Sequence, residues 1–558
     1  MKKDGHPSAG IPFVIGVTGH RELPLEDLDK IKSVLRDLFA EVQSLLPETP
    51  LRVLSPLAEG ADRLVAEIAL ELGVELVAVL PFPAADYEQD FGSPESTDEF
   101  RRLVQNSVGV VTIPPHSDAK QAPQTSDPRA IQYALTGAFV AEHSQLMIAL
   151  WDGEYTGKLG GTWQVVDFVR HGIPVSLRAH GDQLSQEELG DVARVPVDRT
   201  TSGKAITLEF LVDNQEEPVA LKDAPTMALA RRNLNTFNLK SKALSRESRA
   251  SECIESKQIS QGGATCDIRE QFVIADALAI RMQRIYLRAW AAVLYLSFTA
   301  AITLQIHLNA VSGWLLSVAY GAIIVVAFSV YYGIKLFRVE ERYLDYRALA
   351  EGLRVQTHWL AAGMHNPVCQ FYLHRQHSEL RWIRTAIRNA TFKATSLDSN
   401  PDDRASFDVR VSAISTNWLQ EQLSYFTHAA QKAVRAERRW TWAARIMLGV
   451  GVILAAIKSS LGHSPWLVVL VAAPTILVAI FTLHLQNRKF GPLAQQASRM
   501  ASLFKCALKR LKELQATSKP MNLELEQLLQ QLGREVLAEN AEWVTLHRDR
   551  PISTPFVA

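Results

Sequence analysis

Four stretches of membrane length, each free or nearly free of charge, constrain this chain more than any other feature. Residues 289–309 (AWAAVLYLSFTAAITLQIHLN) contain no Asp, Glu, Lys or Arg over 21 positions. At about 1.5 Å per residue, a helix of that length matches a bilayer core of about 30 Å. Residues 314–334 repeat the pattern after the uncharged link 310–313, and 440–457 and 466–485 form a second pair around KSSLGHSP. The flanks are basic: RMQRIYLR and KLFRVEERYLDYR about the first pair, KAVRAERRW and QNRKF about the second. Excess Lys and Arg stays on the cytoplasmic side, so both ends of both hairpins are expected there. Trp290, Trp314, Trp440, Trp442 and Trp466 stand at or near segment starts, where an indole suits the headgroup interface. The rival reading, two buried hairpins in a soluble domain, does not account for the basic flanks. Arg445 lies inside the start of the third segment and has to reach back to the interface.

Long helical sequence follows each hairpin, over 338–394 and 492–546, and shorter helical sequence precedes each, over 267–288 and 418–439. Helix, hairpin, helix therefore occurs twice, at an offset of about 150 residues, which reads as an internal duplication. Tyr295, Thr299 and Thr303 recur along one side of the first span, and Ser317 and Gly321 mark a small-residue face on the second; such stripes serve helix packing. Pro474 falls within the fourth span, where a kink is expected.

The first 175 residues follow a different rule. PFVIGVTGH, LRVLS, ELVAVLPF, GVVTIPP and QLMIALWDG are short β-type runs separated by helical stretches at 25–46, 61–72, 97–106 and 130–143. Alternation of this kind predicts an α/β module with a parallel sheet covered by helices on both faces. The strands are continuous Val, Ile and Leu runs, as strands buried on both sides should be. Across the 558 residues, 59 Lys and Arg balance 59 Asp and Glu, so nothing in the net charge points to direct nucleic-acid binding. The four cysteines, Cys253, Cys266, Cys369 and Cys506, fit neither a zinc knuckle nor a disulfide framework, as expected in a reducing compartment. The stretch MKKDGHPSAGIPFVIGVTGH has too short an apolar run for a signal peptide, so the α/β module is expected in the cytoplasm.

Open parallel sheets bind ligands at the carboxyl ends of their strands, beside helix N-termini whose free amides favour anions. There this sequence places Gly16, Thr18, Gly19, His20 and Arg21 after the first run, Ser55, Glu59, Gly60, Ala61 and Asp62 after the second, and Pro81 and Phe82 after the third. Gly157, Lys158, Leu159, Gly160, Gly161 and Thr162 follow LWDG and lead into the apolar helix TWQVVDFVR, where backbone amides are candidates to cradle a phosphate. No set of residues has metal-ligand spacing, and no metal or resident cofactor is expected.

VIGVTGHR, LSPLAEGADRLVAEIALELGVELVAVLPFP and GKLGGT resemble the SLOG superfamily of Rossmann-like nucleotide-binding domains, over about 170 residues. YLDYRALAEGLRVQTHW and NWLQEQLSYFTHAAQKAVRAERRW resemble SLATT units, the two-transmembrane effectors that accompany such sensors in bacteria. The implied organisation is a SLOG-like domain at 8–180, a connecting extension and polar linker at 181–266, a first SLATT-like unit at 267–396, a linker at 397–412, and a second unit at 413–548. The polar stretch 224–266 is read as a flexible linker or, alternatively, as a transmission element. The resemblance implies a bacterial antiphage or conflict-system effector. Its N-terminal domain would bind a nucleotide-derived signal, an ADP-ribose form or other NAD-derived molecule, or a cyclic nucleotide, made by a cognate synthase. The helical units would form a homo-oligomer and permeabilise the inner membrane. The rival is a membrane-anchored nucleotide N-glycosidase: phosphoribohydrolases of the superfamily carry a glutamate three positions after the G-T pair. Here that position is Val165, and Asp167 lies two further on, which favours binding over hydrolysis. Glu59 and Asp62 are the residues left for acid or base chemistry.

Overall fold

The computed structural model describes residues 10–115, 127–177, 190–197, 206, 208–212, 219–248, 263–364, 366–373, 380–395, 411–461, 464–515 and 522–548. Contacts divide the chain into an α/β unit and an all-helical unit.

The α/β unit is a seven-stranded sheet in the order β4-β3-β2-β1-β5-β6-β7. β1 (Phe13–Gly19), β2 (Leu51–Ser55), β3 (Glu75–Leu80), β4 (Gly109–Thr112) and β5 (Leu146–Leu150) coincide with the five β-type runs. They pair in parallel, as do β5 and β6, whereas β7 closes the edge antiparallel. β1, β2 and β5 are almost wholly buried because helices cover both faces, which is why they carry runs of Val, Ile and Leu rather than an alternating pattern. The strand order reverses between β1 and β5, so the first connections of the two halves diverge and leave a crevice at their carboxyl ends.

Two features differ from the sequence expectation. β6 (Asp191–Val195) and β7 (Glu209–Leu211) lie in the segment read as a connecting extension. The helix Asn235–Ser248, in the stretch read as a linker, is docked: Asn238 is fully buried, receives the Ile11 amide at 3.0 Å and donates to the Ile11 carbonyl at 2.9 Å. The Asn238 amide fixes the helix to the backbone that leads into β1, beside the fully buried Phe237. Likewise the helix Arg381–Thr395, grouped by sequence with the first hairpin, belongs to the α/β unit, where Asn389 donates to the Pro12 carbonyl and to Gln145. Residues 249–262, 396–410 and the remainder of the linkers lie outside the described residues.

The helical unit contains four helices long and apolar enough to cross a membrane, within Ile268–Asn309, Trp314–Ala361, Val411–Ser460 and Pro465–Gln515. At most 22% of any spanning window is buried, so the apolar side chains face outward, the reverse of a soluble core. The first and third spans continue without a break from their preceding helices, as Gly263–Asn309 and Glu421–Leu461. The second and fourth, Trp314–Leu336 and Pro465–Arg488, each end at a basic residue in the left-handed region, Arg338 at φ 49° and Lys489 at φ 46°. These lie about 150 residues apart, at matching points of the two hairpins, and each redirects the chain into a further helix, Val339–Ala361 and Phe490–Gln515. The spans meet at Trp290, Val293 and Leu294, against Val330, Tyr331, Ile480 and Leu483. The threonine stripe turns its hydroxyls onto its own helix, Thr299 to Leu296 and Tyr295 and Thr303 to Thr299, so those donors are satisfied without water. Pro474 is buried, with Gly451 of the preceding span facing it.

Val325, mid-way along the second span, is 64% exposed. Val325→Arg is expected to raise the cost of inserting that segment by about 2.5–3.5 kcal/mol, read as lost insertion of the first hairpin in a glycosylation-site mapping assay. Unchanged insertion would count against this helix lying in lipid.

Candidate functional site

Three connections converge at the carboxyl ends of β1, β2 and β3. The turn after β2 fits under the turn after β1 because Gly60 adopts φ 83° and carries no Cβ, which would overlap the carbonyl oxygens of His20 and Arg21. The Ala61 amide then donates to the His20 carbonyl at 3.0 Å, and Gly19 leaves room for Ala61. Leu57, in the same turn, is buried with φ 57°, a conformation that costs a non-glycine residue about 1–3 kcal/mol.

The predicted residues separate by role. Gly16, Thr18, Gly19, Ser55, Gly60, Ala61 and Pro81 are buried or partly buried framework. Ser55 donates to the Asp62 carbonyl at 3.0 Å and accepts the Leu57 amide at 3.1 Å, so its hydroxyl is committed to the turn. His20 is 5% exposed, with the Asp152 amide nitrogen and carboxylate both 3.1 Å from Nε2; it ties β1 to the end of β5. Arg21, Glu59, Asp62 and Phe82 form a charged and aromatic cluster instead.

The hub of that cluster is Tyr133, which sequence reasoning missed. It projects from the helix Pro128–His143, and its hydroxyl donates to Asp90. Its ring lies edge-on to Phe82 at 5.7 Å and under the exposed Arg21 guanidinium at 5.5 Å. Arg129, one helical turn away, stacks on Phe82 at 4.1 Å and pairs with Asp90 at 2.7 Å and Asp86 at 3.3 Å. Behind them Tyr87, Phe91 and Phe100 pack edge to face. Arg63, 2% exposed, lies over Phe91 at 4.4 Å, with Nε on the Leu57 carbonyl and Nη1 on Ser96 and Glu99. The sequence showed the helix itself, at 130–143; that one of its aromatic residues would meet the strand ends it did not show.

The two carboxylates flagged in the sequence are shifted in opposite directions. Burial pushes the Asp62 carboxyl up to about 7, against the pull of the Ala58 amide and the Arg21 and Arg63 charges. Burial also opposes ionisation of Glu59, but hydrogen bonds from Ser96 and Gly92, with Arg63 and Arg21 nearby, hold it below the ordinary carboxylate range. Burial lifts the Tyr87 phenol well above its ordinary value, and the Asp62 charge adds to this.

The glycine loop after β5 reaches the same place. Gly160, at φ 75°, packs so closely on Tyr133 and the backbone of Ala130 and Ala134 that a Cβ does not fit. Its amide is taken by Gln164 at 2.6 Å and that of Gly161 by the Lys158 carbonyl at 3.1 Å. The amides of Thr162, Trp163 and Gln164, in the first turn of Thr162–His171, have no carbonyl of their own helix to donate to. Gly157 sits at φ 61° further out, near Tyr155. Val165 is buried where Gly137 faces it, and Asp167 pairs at the surface with His171. Among the described residues no group of His, Cys, Asp and Glu is arranged to hold a metal ion.

No protein-family model, curated protein or solved structure matches this chain.

Proposed function

We propose that this protein is a ligand-responsive membrane effector: the α/β unit binds a nucleotide-derived signal, and the four spanning helices, in a homo-oligomer, permeabilise the bacterial inner membrane in response. The observation that carries this reading is the pairing, in one chain, of a strand-end cluster in which Arg21 and Arg129 lie over the rings of Tyr133 and Phe82 with four helices whose apolar surface faces outward. Guanidinium groups over aromatic rings suit a phosphorylated, ring-bearing ligand, and the first-turn amides of 162–164 are further candidate donors for an anion. The basic exits of both hairpins support a cytoplasmic placement of both termini, on the side where a partner synthase would supply such a signal. The resemblance to SLOG and SLATT modules supports the same assignment. A ligand opens the assembly only by binding the open state more tightly than the closed one.

The test is release of a trapped dye from proteoliposomes on titration with ADP-ribose forms and cyclic nucleotides, with the nucleotides recovered from the same samples. Release with intact nucleotide is expected. The double change Arg21→Ala with Gly161→Asp should weaken the response at least about tenfold, the loss of a charge-assisted contact, without altering insertion. Asp62, a buried carboxyl that titrates near neutrality, favours a second reading, a membrane-anchored nucleotide N-glycosidase. Nucleotide cleavage without release would establish that reading and end the first.

A further inference from the structure

Three buried polar groups beneath Arg21 are incompletely used. The Tyr87 hydroxyl belongs to a residue with no exposed surface and has no hydrogen-bond partner among the described residues. Arg63 Nη2 has none either, although Nε and Nη1 of the same side chain are fully engaged. Asp62, 7% exposed, accepts one long bond, 3.3 Å from the Ala58 amide. The three act electrostatically on one another and on Arg21. Leaving a buried polar group unpaired is unfavourable, so two together call for a partner that the described residues do not supply.

The chemistry of that partner follows from the groups. Guanidinium nitrogens only donate, and a phenol beside them offers its proton, so the missing partner is an acceptor. We propose that Arg63 Nη2 and the Tyr87 hydroxyl, with the Asp62 carboxyl beside them, form a pocket for one anionic oxygen group of the ligand, phosphoryl or carboxylate. The inference rests on the ligand-binding reading of this edge and adds a binding subsite and its regulation by pH. An ionised Asp62 would face the incoming anion as a like charge; a neutral one is a third donor. The charged and titratable groups around it are Arg21 after β1, Glu59 in its own turn, Arg63 on its own helix, Tyr87 and Asp90 after β3, and Tyr133 on the helix Pro128–His143. Against its burial, hydrogen bonds from Ser96 and Gly92 hold Glu59 below the ordinary carboxylate range, Arg21 is raised above its ordinary value, and burial pushes Tyr133 up to about 12, whereas burial brings Asp62 to about 7, inside the window from pH 6 to 9.

The experiment uses the full chain in detergent micelles with two probes that do not titrate over this range, sulfate and ADP-ribose. Binding is followed by the shift of the thermal unfolding midpoint and, for ADP-ribose, by calorimetry in buffers of different ionisation enthalpy. For the wild type we expect affinity to fall about tenfold per pH unit above pH 7, with nearly one proton taken up per ADP-ribose at pH 8. Asp62→Asn should bind with no pH dependence and no proton uptake, and Tyr87→Phe should weaken both probes about fivefold to tenfold. Sulfate binding that is flat with pH in the wild type, or unaltered by Tyr87→Phe in a folded variant, would overturn the pocket, as a bridging water in place of a ligand would. Loss of ADP-ribose binding with sulfate behaviour intact would instead remove the nucleotide reading and leave the donor pocket standing.

Discussion

Gly60→Ala is expected to destabilise the α/β unit by about 3–5 kcal/mol and to abolish ligand response with it. Position 60 holds φ 83° and ψ −120°, which an L side chain adopts only under strain, and the added methyl would meet the backbone oxygens of His20 and Arg21, which cannot rotate away. The Ala61 to His20 hydrogen bond that joins the first two strand ends would be lost. Gly73→Ala is the matched control: it shares a positive φ, 72°, but nothing lies within 4 Å of its added methyl, so only about 1 kcal/mol is expected. Hydrogen exchange of peptides over 11–22 and 51–65 separates the two. Equal protection in both variants would show that the close approach at Gly60 is not what holds the turns together.

Asp62→Asn is expected to act in the opposite direction. The wild-type carboxyl ionises near 7 in the fold, against an ordinary value near 4, so folding retains its proton between those limits. The native state then binds more protons than the unfolded chain, and stability falls as pH rises from about 4 to 7 before levelling off. Asparagine, similar in shape to the neutral acid, escapes this loss. Its stabilising effect should therefore grow by about 2–3 kcal/mol between pH 5 and pH 8, measured by denaturant unfolding of the α/β unit. A pH-independent difference would mean that Asp62 ionises normally. A group that destabilises its own fold at neutral pH is the pattern of a binding site, where stability and function oppose each other.

Together these variants bear on how the edge works. The glycines and Ser55 build the turns and His20 fastens β1 to β5, which leaves Arg21, Asp62, Phe82 and residues the sequence did not single out, Arg63, Tyr87 and Tyr133, as the groups proposed to meet a ligand. Glu59 is occupied by Ser96 and Gly92. Its role in the site is to anchor the next loop rather than to meet a ligand first.

The sequence by itself determined the two-part architecture. Uncharged runs of membrane length and continuous Val, Ile and Leu strands are local patterns, each imposed by the surroundings its residues must face, and both are visible without knowing what packs on what. It also determined which strand ends carry polar residues, since these follow directly in the chain. Tertiary structure alone decided the rest. The short strands β6 and β7 are stabilised by a sheet edge already present, not by their own pattern, and the helices Asn235–Ser248 and Arg381–Thr395 are held by Asn238 and Asn389 on distant backbone. The hub at Tyr133, the unpartnered Tyr87 hydroxyl and the raised Asp62 carboxyl arise from burial, a sum over neighbours brought together by folding, which no spacing along a single chain can record.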